Sequence, residues 1–196
     1  MAVWEQALLG IVAFAVLFFF WPGAKKAMDE SQQVENPDWK GALIPIGVVV
    51  IFVIVLIALA SAWFNRSLSR LNEQINQIFE FWFGTETDEL QIIAKQSGLW
   101  WGKDANTDDS IKNKFGAIYQ SAVDEALKDW LKSARGQLAL IILLDQFSRV
   151  IYRDTADAFA QDSKALGIVL EGINNNVDLD LQPIERVFYY MPMEHS

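Results

Sequence analysis

Two long apolar runs open the chain, and each is bracketed by tryptophan: Trp4 and Trp21 flank the first, Trp39 and Trp63 the second. As α-helices these spacings rise about 26 Å and about 36 Å at ~1.5 Å per residue, against a bilayer hydrocarbon core of ~30 Å. Tryptophan concentrates at membrane–water interfaces, where its apolar body and polar N–H are both satisfied. Residues 7–21 and 41–64 contain no Asp, Glu, Lys or Arg. The stretch 46–60 is apolar on every face, whereas a soluble core helix keeps a polar stripe. Residues 1–64 are therefore expected to form a two-helix membrane hairpin with both ends on one side, the alternative being a buried helix pair. The bilayer is the first expected partner.

The first run does not read as a secretory leader. Only the amino terminus and Glu5 precede it, and Pro22, Gly23, Ala24, Lys25 and Lys26 after it form no small-x-small cleavage site. Residues 23–40 read as a polar loop between antiparallel spans. Lys25, Lys26 and Lys40 lie in that loop, while Arg66 and Arg70 follow the second span, so counting positive charges favours neither orientation. The chain has no cysteine, which removes disulfides as a clue to compartment.

Residues 65–196 hold 13 Lys and Arg against 20 Asp and Glu, a balance of −7. An acidic surface without a basic patch excludes nucleic acid, or anionic lipid, bound by charge alone. This remainder is large enough for one modest core, and its apolar spacing is helical throughout. Leu68, Leu71, Ile75, Ile78, Phe79 and Trp82 recur at intervals of three and four, which predicts a helix over 66–83 ended by Gly84. A shorter helix is expected over 89–96, stopped by Gly98. Asp108 or Asp109 is expected to cap the next, through Ile111, Phe115 and Tyr119, running on to Leu131 or breaking near Gly116. Further helices are expected over 134–152, over 155–172, and from Pro183 through Val187 and Tyr190. The fold class is thus all-α: two transmembrane helices followed by an antiparallel helical array.

The run Leu138-Ala-Leu-Ile-Ile-Leu-Leu-Asp-Gln-Phe147 carries the main chemical signal. Its seven apolar residues imply burial all round, and Asp145 follows them inside the same helix. Arg149 lies four residues on, the spacing at which helix side chains meet, and Arg153 one turn further. A carboxylate in such a place needs a partner. One reading is an internal ion pair fixing helix packing; the other is an anion site with Arg149 and Arg153 as donors and Asp145 orienting them. Trp100 and Trp101, before Gly102, either line a pocket or wedge between core helices. His195 is the only histidine, so no zinc site of the usual kind is expected, and neither a metal nor another cofactor is called for. Glu194 beside it could join a polar site completed elsewhere. No glycine-rich phosphate loop or serine elbow is present.

Several ordered blocks over about residues 70–196 resemble one family. They are Phe81-Trp-Phe-Gly84, Trp100-Trp-Gly102, Leu138–Phe147 as above, Ile151-Tyr-Arg153, Ala158-Phe-Ala-Gln-Asp162 and Tyr190-Met-Pro-Met-Glu-His-Ser196. Together they look like the bacterial domain of unknown function 924. The resemblance implies an all-α fold similar to tetratricopeptide-repeat arrays, and it brings no assigned reaction. It implies polar family positions at Asp145, Gln146, Arg149, Arg153, Asp162, Glu194 and His195. It also favours a cytoplasmic soluble part, which with the expected hairpin gives a bacterial inner-membrane protein.

Three departures from the family pattern stand out. Ser148-Arg149-Val150 occupies the place of the family's Pro-Arg-Asn, so one polar member of the set is missing. The family domain ordinarily carries no membrane hairpin. Its members also continue past the Glu-His-Ser block with further helices, so the domain is expected to be C-terminally incomplete, leaving Val187, Phe188, Tyr190 and Met191 partly exposed. The leading expectation is a membrane-anchored helical binding or scaffold module with a possible protein partner. The alternative is an enzyme or small-anion-binding protein with a polar pocket around Asp145, Arg149, Arg153 and His195.

Overall fold

A computed structural model describes Lys25 and residues 39–195, with side chains from residue 47 onward. Every element among these is helical. The chain divides into two compact units after Asn65. Helix α1 (Trp39–Phe83) contributes its first part to one unit and its last part to the other. The first expected span, between Trp4 and Trp21, lies outside the described residues. Of the loop expected over 23–40, Lys25, Trp39 and Lys40 are helical.

One helix among the described residues is long and apolar enough to cross a membrane: the stretch Gly47–Phe83 contains an 18-residue window of mean hydropathy 2.8, none of it buried. Val48, Ile51, Phe52, Ile54, Leu59 and Trp63 are all exposed. The separate helix expected over 66–83 is the continuation of α1. Asn65, Arg66 and Ser67 cost a helix only tenths of a kcal/mol each, and no Gly or Pro intervenes to stop it. Gly84 ends α1 with φ +78, the left-handed conformation that glycine adopts without steric cost.

Residues 66–196 build the second unit. After the last turns of α1 come α2 (Glu89–Trp101), α3 (Ala105–Val123), α4 (Ala134–Ile141), a π-helical turn (Ile142–Phe147) and α5 (Ser148–Ile151). Helices α6 (Asp162–Asn174) and α7 (Pro183–Glu194) follow, with short 3₁₀ turns at Lys128–Lys132, Ala156–Phe159 and Val177–Asp180. Gly98 does not stop α2, which runs to Trp101 and is capped by Gly102, where a Cβ would lie 2.2 Å from the Gly98 carbonyl oxygen. The cap of α3 is Asp104 rather than Asp108 or Asp109. Its carboxylate accepts from the Thr107 amide at 2.9 Å and hydroxyl at 2.8 Å. Helix α3 passes Gly116 unbroken and ends at Val123.

A buried α1 residue ties the core together. Trp82, 2% exposed, meets Phe147 and Phe188 edge-on at ring separations of 5.5 and 5.4 Å. Around them pack Ile111 and Phe115 of α3, Leu138 and Ile141 of α4, Val169 of α6 and Tyr189 of α7. Each such side chain contributes about 1.5–3 kcal/mol of hydrophobic free energy relative to full exposure. Phe188, expected to be partly exposed, is fully buried, because α7 turns Phe188, Tyr189 and Pro192 inward. Val187 on the outer face is 50% exposed, and Tyr190 and Met191 are half-buried.

Candidate functional site

The π-helical turn Ile142–Phe147 holds Asp145 at its centre. A π turn inserts one extra residue into a helix and is found disproportionately at functional positions. Here it sits inside an apolar run and leaves the Asp145 side chain 0% exposed. A carboxylate so placed must have its charge met by donors, and three converge on it. His195 Nδ1 lies 2.8 Å and Arg149 Nη2 3.2 Å from Asp145 Oδ1, while Gln146 Nε2 donates to Oδ2 at 2.6 Å. The donors come from α7's end, α5 and the π turn itself.

Arg149 does not stop there. Its guanidinium forks onto Asp162 at the start of α6, with Nη1–Oδ1 2.9 Å and Nη2–Oδ2 3.1 Å, and Nη1 also donates to the Ala158 carbonyl at 3.3 Å. The Phe159 ring lies 5.1 Å from the guanidinium carbon. Ser148 Oγ lies 3.0 Å from the carbonyl oxygens of both Asp145 and Ala158, tying the π turn to the 3₁₀ turn that leads to α6. Asp145, Arg149, Asp162 and His195 therefore form one network across the π turn, α5, α6 and α7.

Arg153 belongs elsewhere. Helix α5 ends at Ile151, so the helical register that would align Arg153 with Arg149 no longer applies. Its guanidinium instead forks onto Asp108 of α3 at 2.6 and 2.7 Å. Those hydrogen bonds hold the Arg153 pKa above its ordinary value. Glu194 is exposed on the last turn of α7. Trp100 wedges into the core, its indole N–H donating to the Trp82 carbonyl at 2.9 Å and its ring 4.8 Å from Phe188. Trp101 is 62% exposed and lies roughly parallel to Phe188 at 6.3 Å.

The charges decide what this network can hold. Two carboxylates, Asp145 and Asp162, face one guanidinium, so with a neutral imidazole the cluster carries one excess negative charge. Both arginines proposed as anion donors are already engaged by carboxylates. A small anion would have to displace one of them and meet the other at short range, an arrangement disfavoured in a low-dielectric setting. The Asp145–His195 contact is different in kind. A carboxylate at Nδ1 orients an imidazole and leaves Nε2 on the far side of the ring, whose side chain is 28% exposed. Among the described residues no group of three or more His, Asp or Glu is arranged to hold a metal.

Asp162 and Asp108 are the partners that residue spacing alone does not reveal. Asp162 stands 13 residues from Arg149, Asp108 45 from Arg153, and both ion pairs close through tertiary packing. For Asp162 the only signal was its place in a family block; Asp108 looked like a helix cap.

Residues 78–196 match the family described as bacterial protein of unknown function, DUF924. A solved structure of a protein of unknown function from Agrobacterium tumefaciens is similar, with 31% sequence identity and a TM-score of 0.54. The alignment covers 62% of this chain and 64% of that one, so the chain spans under two thirds of the other protein's length. No curated protein matches the sequence.

Proposed function

Since this chain belongs to the DUF924 family of bacterial proteins of unknown function, membership brings no reaction with it, and we propose from the geometry that it is a membrane-anchored helical binding module. The observation that carries this reading is the internal satisfaction of the charged cluster. Arg149 and Arg153, the residues best suited to grip a ligand, are both held by carboxylates of the domain itself. They lock α3, α5 and α6 together, and His195 on Asp145 ties in the end of α7. Binding then falls to the surface that the locked helices present. Leu90, Ile93 and Trp101 lie on α2 at spacings of three and eight, 76%, 42% and 62% exposed. Beside them runs α7, joined to α2 by the Glu89 carboxylate at the Ile184 amide and by the Trp101–Phe188 ring contact. Exposed apolar side chains on one side of a helix suit a protein-binding face. The helical array is of the tetratricopeptide-like kind in this reading, and the uncharged segment of α1 is the anchor.

Photocrosslinking from Leu90 in the full chain, in its native membrane, tests the proposal. A discrete adduct from position 90 that is absent from Lys112 on the charged face supports it. Equal labelling from both positions removes it.

A second reading rests on one contact, His195 Nδ1 to Asp145. An imidazole oriented by a buried carboxylate is the arrangement by which acid–base enzymes keep Nε2 ready to accept a proton. In this reading His195 is the base and Asp145 its positioning residue, on a domain that is an enzyme rather than an adaptor. His195→Gln separates the two: it abolishes turnover under the second reading and leaves crosslinking from Leu90 intact under the first.

A further inference from the structure

A different place in the domain combines an unusual backbone turn with an apolar cavity. Helix α3 ends in a glycine-type reversal with glutamate in the glycine position. The Ala126 amide reaches back to the Ser121 carbonyl and the Glu125 amide to that of Ala122, while Glu125 itself has φ +58. A side chain with a Cβ is disfavoured there, which sets Glu125 apart from its neighbours. Its carboxylate meets two ammonium groups. Lys128 Nζ sits 3.0 Å and Lys164 Nζ 3.7 Å from its oxygens. All three side chains stand around a cavity of about 230 Å³ whose other walls are Ala122, Leu127, Leu131, Leu140, Leu144 and Ile168.

We infer that this cavity binds an unbranched aliphatic monocarboxylate of medium length, its chain among the leucines and its carboxylate between Lys128 and Lys164. The walls offer an alkyl chain contact and offer a polar group nothing. The volume exceeds the ~150 Å³ of an apolar cavity that holds a benzene ring, and it suits a chain of about eight carbons if a methylene fills roughly the ~30 Å³ of a water molecule. The mouth carries two ammonium groups against one carboxylate, so it has one positive charge to spare for one anionic head. Glu125 already occupies the position of that head, bound to the same two lysines.

Sodium octanoate titrated calorimetrically into the full chain in phosphatidylcholine nanodiscs, with empty discs subtracted, tests the inference. Octanoate saturates at one per chain. Acetate, which lacks the chain, and octylammonium, which reverses the charge, bind at least about tenfold more weakly, the loss expected when one charge-assisted contact or most of the apolar contact is removed. Lys164→Ala weakens octanoate, and Glu125→Gln, which removes the internal competitor, tightens it. Equal binding of octanoate and octylammonium, or no saturable octanoate signal above empty discs, overturns the inference. That ligand series uses the unaltered protein, so it decides the matter even if a variant does not fold.

Discussion

Asp145 shows how a single buried charge organises its surroundings. Its carboxylate is fully buried and accepts from three side chains, so removing it strands the donors that faced it. Asp145→Ala is expected to cost about 3 kcal/mol, the usual penalty for breaking a buried pair from one side, read as a lowered midpoint in denaturant. Arg149 keeps Asp162, which holds the loss at the low end of that range. The tyrosines make a second residue-scale prediction. Burial pushes the hydroxyls of Tyr119 and Tyr189 up to about 12. A phenol whose pKa is higher folded than unfolded favours the folded state while it stays protonated. That contribution is whole below about pH 10, the unfolded value, and disappears as pH rises through about 12. Stability followed between pH 9 and 12.5, with tyrosinate absorbance alongside, is expected to fall only in that upper window.

At the scale of elements, what the sequence disclosed depended on whether the signal was local. Apolar spacing announced the helices, because periodicity reports the buried face directly. Their ends were less legible. Asp104, not Asp108, caps α3, since the helix begins at Ala105 and Asp108 lies within its first turn, where it pairs with Arg153 from 45 residues away. The π turn was invisible, because it begins within a continuous apolar run, where an inserted residue leaves no break in the pattern. The pairing of Asp145 with Arg149 follows from i,i+4 spacing, whereas Asp162 and His195 reach the same cluster only through packing. Two element-scale outcomes follow. Asp104→Ala removes the α3 cap and is expected to lower the domain's midpoint in chemical denaturation. Gly172→Ala places a Cβ 1.7 Å from the Tyr189 hydroxyl and 2.6 Å from Gln137 Oε1. It must displace the 2.6 Å hydrogen bond those groups share, with a loss of about 1–3 kcal/mol from overpacking and a shifted Tyr189 environment in near-ultraviolet circular dichroism.

For the whole molecule the governing contrast is between its two units. Residues 66–196 bury their large side chains around Trp82, Phe147 and Phe188. The uncharged part of α1 buries none of its most apolar window and presents Val, Ile and Leu on all sides. In water that surface would be a severe aggregation liability; in hydrocarbon it is matched. Membrane anchoring is thus the central proposal, and the binding face proposed on α2 is the surface that a domain so anchored would present. The most direct measurement is to express the full chain in bacteria, wash the isolated membranes with alkaline carbonate, and follow where the protein goes. The account predicts that it remains in the membrane pellet and is released only by detergent; recovery of the intact chain in the carbonate supernatant, or in the cytosol before the wash, would contradict it.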